Sequence, residues 1–323
     1  MRLRVFLQTL LCIVTLVAAT VGPSLRAQSS TSPVAFIEKI GGDVTLITRS
    51  DQLKLRPGID DGRILYSDET LVCGTAGHAL LRTSADLHQA HDVCKGAKMW
   101  PPQPGPKTSA PIATNRLVKA LESYGVRGGG DRAIGDSAIY SPPKLGGAIL
   151  PQSLVVRWLT RPPLGIFTAI LFDPNGKELA RAAAVDGASG ILDSQQLRDA
   201  LTAYQNAHDS AEEMMLVFRF ESEPEQFVRF HVLTAAQRQE LENALGSLDS
   251  AEGLFYRIER AAVYTSFHMY DLVAAEYEAA LVEAPESRDL LSAAFNANLR
   301  TGNKRRAHEL SDKLAEVEER AKR

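Results

Sequence analysis

Ile37-Glu38-Lys39-Ile40-Gly41-Gly42-Asp43-Val44 reads as one strand, a two-glycine turn and the start of a second strand. The same rhythm continues on both sides. Val34 to Ile40, Val44 to Thr48, Leu53 to Leu55, Thr70 to Cys73 and Ala79 to Thr83 are short runs rich in Val, Ile, Leu and Thr. Turn signals such as Gly41-Gly42 and Pro57-Gly58 separate them. Short runs of this composition between turns predict an all-β unit over 33–100.

Upstream, Arg2 and Arg4 precede the apolar run Val5 to Gly22, and Pro23 and Ala27 follow it. Charged, apolar and small-residue segments in that order predict a cleavable signal peptide over 1–27 and export to the periplasm or beyond. An uncleaved anchor is the alternative, since the apolar run is near the lower length limit of a membrane span. Lipidation at Cys12 is disfavoured, because Leu11 stands where a small residue is wanted and the apolar run continues past it. No later stretch approaches the roughly 18 apolar residues of a span, so no stable membrane span is expected after cleavage.

Cleavage leaves 296 residues, enough for two or three domains. It also removes three arginines, leaving 33 bases against 39 acids and a net charge of −6. That surface argues against binding a nucleic-acid backbone. Only Cys73 and Cys94 remain, and an even pair in an oxidising compartment is expected to form a disulfide.

Downstream, residues 101–147 are rich in proline and glycine and predict a linker, with a short helix over Asn115 to Tyr124. The two-residue rhythm returns over 148–233, in Leu154 to Trp158, Ile166 to Phe172, Glu178 to Ala182, Met214 to Phe220 and Phe227 to Val232. Asp173-Pro174-Asn175-Gly176 is a strong turn between two of these runs. The set predicts an immunoglobulin-like β-sandwich with Trp158 in its core and a helical insertion over Asp193 to Asn206. Residues 234–323 are helical by period and composition, opening on a capping box from Thr234 to Gln237.

Two segments resemble known families. Ile37 to Val44, Leu55-Arg56-Pro57-Gly58, Ile64 to Val72 and Gly77 to Arg82 together resemble the FecR-type periplasmic domain. Ser67 replaces that pattern's usual glycine before Asp68, and the closing hairpin carries Asp86-Leu87. In the helical part, Ala261 and Tyr264, then Tyr270 at the turn, then Tyr277, Ala280, Leu281 and Pro285 resemble a tetratricopeptide repeat. Shifted by 34 residues, the template meets Leu291, Ala294, the turn Gly302-Asn303 and Ala307. The resemblance places Tyr264 and Tyr277 between helices. Helix Ala235 to Leu248 and the tail Asp312 to Arg323 are expected to cap the array, since one helix pair does not bury its own apolar face.

Signals for chemistry are weak. His88, His91 and Cys94, with His78 and Cys73 nearby, form the best metal candidate, but their spacing suits a helix rather than the strand expected here. Ser141 to Lys144 has the bare form of a Ser-x-x-Lys nucleophile, but Pro142-Pro143 opposes the helix it needs. Gly130 to Ser137 has the spacing of a phosphate loop with Asp136 in place of its lysine. Asp60-Asp61 and Glu212-Glu213 read as solvated turn residues.

The expected fold is therefore multidomain α+β: an N-terminal all-β FecR-like domain, a central immunoglobulin-like β-sandwich and C-terminal α-helical tetratricopeptide-like repeats. No enzyme activity, metal or cofactor is expected. FecR-type transcription regulators usually carry an inner-membrane span and a cytoplasmic segment, and the mature chain is expected to have neither. The expectation is an envelope adaptor that binds proteins through its repeats, with contacts from Arg257, Arg260, Asn298 and Arg300 as exposed first-helix positions. The alternative is a peptidoglycan- or polysaccharide-binding protein acting through exposed aromatics of its β units, Trp100 being one candidate.

Overall fold

The computed structural model describes residues 33–83, 86–94, 99–100, 139–143, 147–158, 166–186, 190–220, 225–248 and 253–322. The leader, most of the linker with its expected helix, Gly130 to Ser137 and Lys144 lie outside the described residues.

β1 (Pro33–Gly41), β4 (Ile64–Tyr66), β6 (His78–Thr83) and β7 (Asp86–Asp92) form one antiparallel sheet in the order β4-β1-β6-β7. β2 (Val44–Ile47), β3 (Gln52–Leu55), β5 (Thr70–Cys73) and β8 (Met99–Trp100) form a second, in the order β3-β2-β5-β8. Ile37, Ile40, Leu65 and Leu81 of the first sheet share a core with Val44, Leu46 and Leu71 of the second. The chain passes between the sheets at Gly42, whose φ is +68° and where a Cβ would lie 1.8 Å from the Ala76 carbonyl oxygen. Only glycine suits that combination of dihedral and contact.

β1 is buried on both faces. Ala35 and Ile37 enter the sandwich core, while Phe36 between them belongs to a second cluster with the C-terminal helices. Alternation puts neighbours on opposite sides of a strand, so an unbroken apolar run signals two buried faces.

The central unit has a five-stranded sheet, β10-β16-β15-β12-β13, and a three-stranded one, β14-β11-β9. Its strands are β9 (Ile139–Ser141), β10 (Ala148–Ile149), β11 (Val156–Trp158), β12 (Ile166–Phe172), β13 (Glu178–Asp186), β14 (Ile191–Leu192), β15 (Glu213–Phe220) and β16 (Gln226–Val232). Among the described residues, β10 and β16 alone pair in parallel. Strand β9 falls within the stretch expected as linker and pairs with β11. Asp173 shapes the β12–β13 turn by accepting from the Asn175 and Lys177 amides at 2.9 and 2.7 Å. Trp158 is buried and meets Phe167 edge to face at 5.0 Å. Helix α1 (Gln195–His208) adds Leu197, Leu201 and Tyr204 to the same core.

Helices follow among the described residues: α2 (Ala235–Gly246), α3 (Leu254–Ser266), α4 (Tyr270–Glu283), α5 (Arg288–Thr301) and α6 (Lys304–Lys322). The capping box at Thr234 is formed, with Thr234 accepting from the Gln237 amide and Gln237 reaching back. Starts at 254 and 288, and at 270 and 304, put α3 and α5, then α4 and α6, 34 residues apart. Ala261, Tyr264, Tyr277, Ala280, Leu291, Ala294 and Ala307 are all buried. Ser287 caps α5 and Gly302 ends it in the left-handed conformation. The chain is thus mixed α+β, with sheets first and helices last. No helix among the described residues is long and apolar enough to cross a membrane.

The helices do not stand apart from the sheets. Phe36 and Ile64 of the N-terminal sheet and Ala148 and Leu233 of the central unit share one continuous cluster with α2 to α6. Polar contacts close its rim: the Arg288 amide donates to the Ile59 carbonyl at 3.2 Å, and Arg56 donates to the Arg320 carbonyl at 2.9 Å.

Candidate functional site

Helix α4 organises the polar face of the helical part. Residues two apart on a helix point to nearly opposite sides, so Glu276 and Glu278 serve different neighbours. Glu276 faces α3, where Arg260 lies 2.9 Å and Arg257 3.4 Å from its carboxylate. The Arg260 guanidinium also sits over the rings of Tyr256 and Tyr264, at 5.3 and 5.7 Å, and donates to both hydroxyls. Glu278 faces the second helix pair. Arg306 of α6 grips it with Nε at 2.8 Å and Nη2 at 2.7 Å, and Asn298 of α5 donates to it at 3.2 Å. These Glu278 hydrogen bonds push Arg306 above the usual arginine range.

Three of the four expected contact residues are therefore already engaged. Arg257 and Arg260 share Glu276. Asn298 was expected on the exposed side, but it is only 4% exposed and bonds Glu278 and the Ala294 carbonyl. Its amide satisfies buried groups between helices, which is where a polar side chain at a packed position is retained.

Arg300 differs. Its guanidinium lies 5.4 Å from the ring centre of Tyr270, and the Tyr270 hydroxyl is 3.0 Å from His268 Nδ1. His268 is exposed and sits at φ +59° in the α3–α4 turn, an uncommon conformation for a residue with a Cβ. Its carbonyl accepts from the Ala148 amide at 3.0 Å, which fixes the turn against the central unit. A cation, a phenol and an imidazole thus meet at one surface point supplied by three elements. Such a group offers hydrogen-bond donors and an aromatic edge to a partner. His268 and Tyr270 were missed in the sequence, although Tyr270 had been placed at a turn by the repeat spacing.

The sheet contacts revise other expectations. Asp60, read as a solvated turn residue, is 4% exposed; it accepts from the Arg56 amide at 2.8 Å and pairs with Arg288 of α5. Glu212 and Glu213 are exposed as expected. Trp100 is half-buried and packs against the N-terminal core. Phe227 of β16 is the more open aromatic, 59% exposed, with Arg229 over its ring at 5.8 Å.

Cys73 and Cys94 stand at disulfide distance, with Cα atoms 5.7 Å apart. Cys73 ends β5 in the second sheet and Cys94 follows β7 of the first, so the pair ties the two sheets together. Among the described residues no group of three or more His, Cys, Asp and Glu is placed to hold a metal ion. Ser141 lies in a strand, not at a helix start. No protein-family model matches the chain, and no curated protein matches it.

Proposed function

We propose that the chain is a non-enzymatic adaptor of the bacterial cell envelope, exported by its leader and docking a protein partner on its helical repeats. The observation that carries this reading is the 34-residue offset between the two helix pairs, with template positions such as Tyr264, Tyr277 and Ala294 buried between helices. It supports a tetratricopeptide-like array, and arrays of this kind act by presenting a surface. The two-sheet N-terminal unit supports the FecR-like reading and the paired central sheets the immunoglobulin-like one, while the cysteine pair suits an oxidising compartment. Because the first-helix side of α3 is packed on the chain's own β1, the docking point is the Arg300, Tyr270 and His268 group.

A second reading, a wall-polysaccharide binder acting through the β units, is favoured by the exposed Phe227 on the central sheet. One comparison separates them. The mature chain, Arg300→Glu and Phe227→Ala are each immobilised and challenged with envelope extract and with purified peptidoglycan. Loss of a protein partner in Arg300→Glu supports the adaptor; the same partners on all three baits sink the assigned docking point. Peptidoglycan binding that Phe227→Ala abolishes promotes the second reading.

A further inference from the structure

Ser141 and Asp271 meet where β9 of the central unit reaches the first turn of α4. Ser141 Oγ is 2.6 Å from Asp271 Oδ2 and 2.9 Å from the Val155 carbonyl oxygen, and Ser141 is 6% exposed. A hydroxyl carries one proton, and both of these neighbours are acceptors while the aspartate is ionised. One contact then sets lone pair against lone pair in a largely dry joint, a costly arrangement. With a proton on Asp271 the chain of donors is complete: Asp271 donates to Ser141, and Ser141 donates to Val155.

We propose that this joint between the central sheets and the helical repeats is a proton-dependent latch, tight when Asp271 is protonated and looser when it ionises. The proton count alone assigns the tight state.

The surroundings agree. Asp271 is half-buried with its carboxyl group at the enclosed end, and that burial pushes it up to about 6, against the Ser141 hydrogen bond and the charge of Arg157 on β11. The first turn of a helix also favours the carboxylate, so burial outweighs three opposing influences. The α3–α4 turn carries the titratable His268, hydrogen-bonded to Tyr270, and α5 carries Arg300 over the Tyr270 ring. The Ala148 to His268 backbone bond lies in the same joint, so loosening at Asp271 acts on the turn that holds the His268 group.

The direction follows from proton linkage. A carboxyl whose folded value is raised from 3.8 to about 6 stabilises the closed joint fully below the lower value. That contribution is lost as pH rises through about 6. The two values correspond to roughly a tenfold change in the local closing equilibrium between about pH 5 and about pH 7.5.

Carbon-13 titration of aspartate carboxyls in the whole mature chain tests the latch, with Asp271→Asn identifying the Asp271 signal. A midpoint near 6 is expected; a midpoint near 4 or below overturns the proposal. Hydrogen exchange of β9 and the α4 first turn, corrected for intrinsic rates, is expected to slow about tenfold from pH 7.5 to 5 in the natural chain. In Asp271→Asn, whose amide donates to Ser141 at every pH, slow exchange is expected at both. An equal pH response in Asp271→Asn assigns it to another group such as His268 and also overturns the latch. If the variant does not fold, the natural-chain exchange and the midpoint of an aspartate signal near 6 still decide.

Discussion

Phe36 of β1 packs against Phe255 of α3 with ring centres 5.3 Å apart, and both side chains are fully buried. Arg82 lies over the Phe255 ring at 5.9 Å while its guanidinium is held by Glu38 at 2.9 Å. A first helix expected to face a partner thus faces the chain's own N-terminal sheet. The helical part covers the outer face of that sheet and is itself covered by it.

Phe255→Ala should accordingly destabilise the whole molecule, by about 3–5 kcal/mol, the usual cost of emptying a large aromatic site. The two tryptophans, Trp100 and Trp158, report the β units, and far-ultraviolet dichroism reports the helices. Urea unfolding followed by both signals should give coincident transitions in the natural chain, with both displaced together in the variant. Helices that melt separately from the tryptophan signal would show that the shared cluster does not couple the units.

Asp60 provides a polar counterpart. Its carboxylate is buried, takes the Arg56 amide and pairs with Arg288, with Arg63 3.8 Å away. Removing it takes the carboxylate from Arg288, while Arg63 keeps Glu69 at 3.8 Å; Arg288 is 30% exposed, so water relieves part of the loss. Asp60→Ala should cost about 2 kcal/mol, below the 3–5 of a fully buried broken pair. Arg306→Ala, at a more exposed ion pair, should cost about 1 kcal/mol or less. Denaturant midpoints of the two variants check the ranking.

Local order was legible where local chemistry decides it. The Gly41-Gly42 and Asp173 to Gly176 turns, the strand over Ile166 to Phe172 and the 34-residue helix spacing all depend on residues close in sequence. The packing between units was not. Nothing near Asp60 announces Arg288, and nothing near Asn298 announces Glu278 on another helix. A signal did exist in Val34 to Ile37, an unbroken apolar run that suits a strand covered on both faces, but it does not name the cover. The site shares this limit: Arg300 was singled out as a surface cation, whereas Tyr270 and His268 join it only through the turn between helices.

The cysteine pair makes a compartment-level prediction. Alkylation of the mature chain without reduction should leave Cys73 and Cys94 unlabelled. Cys94→Ser should lower stability by about 3 kcal/mol on the chain-entropy account of a loop this size, because the bond joins the two N-terminal sheets. Two labelled thiols in the unreduced protein from envelope fractions would remove the support the pair gives to an exported location.

Asp61 separates burial from bonding in the N-terminal unit. Its Oδ1 accepts from the Ile40 amide at 2.9 Å, yet burial pushes the carboxyl above its ordinary range, outweighing that bond and the charge of Lys39. A raised folded value means the native state holds the proton more tightly than the unfolded chain. Stability from this group is therefore present at acid pH and lost as pH rises through the folded value. Asp61→Asn keeps an oxygen for the Ile40 amide and removes the buried charge. Relative to the natural chain, the variant should be more stable at pH 7, and the difference should shrink toward pH 4 as Asp61 takes up its proton. Urea midpoints of both proteins at the two pH values test this, and a difference that grows on acidification would mean that the Ile40 bond, not burial, governs the carboxylate.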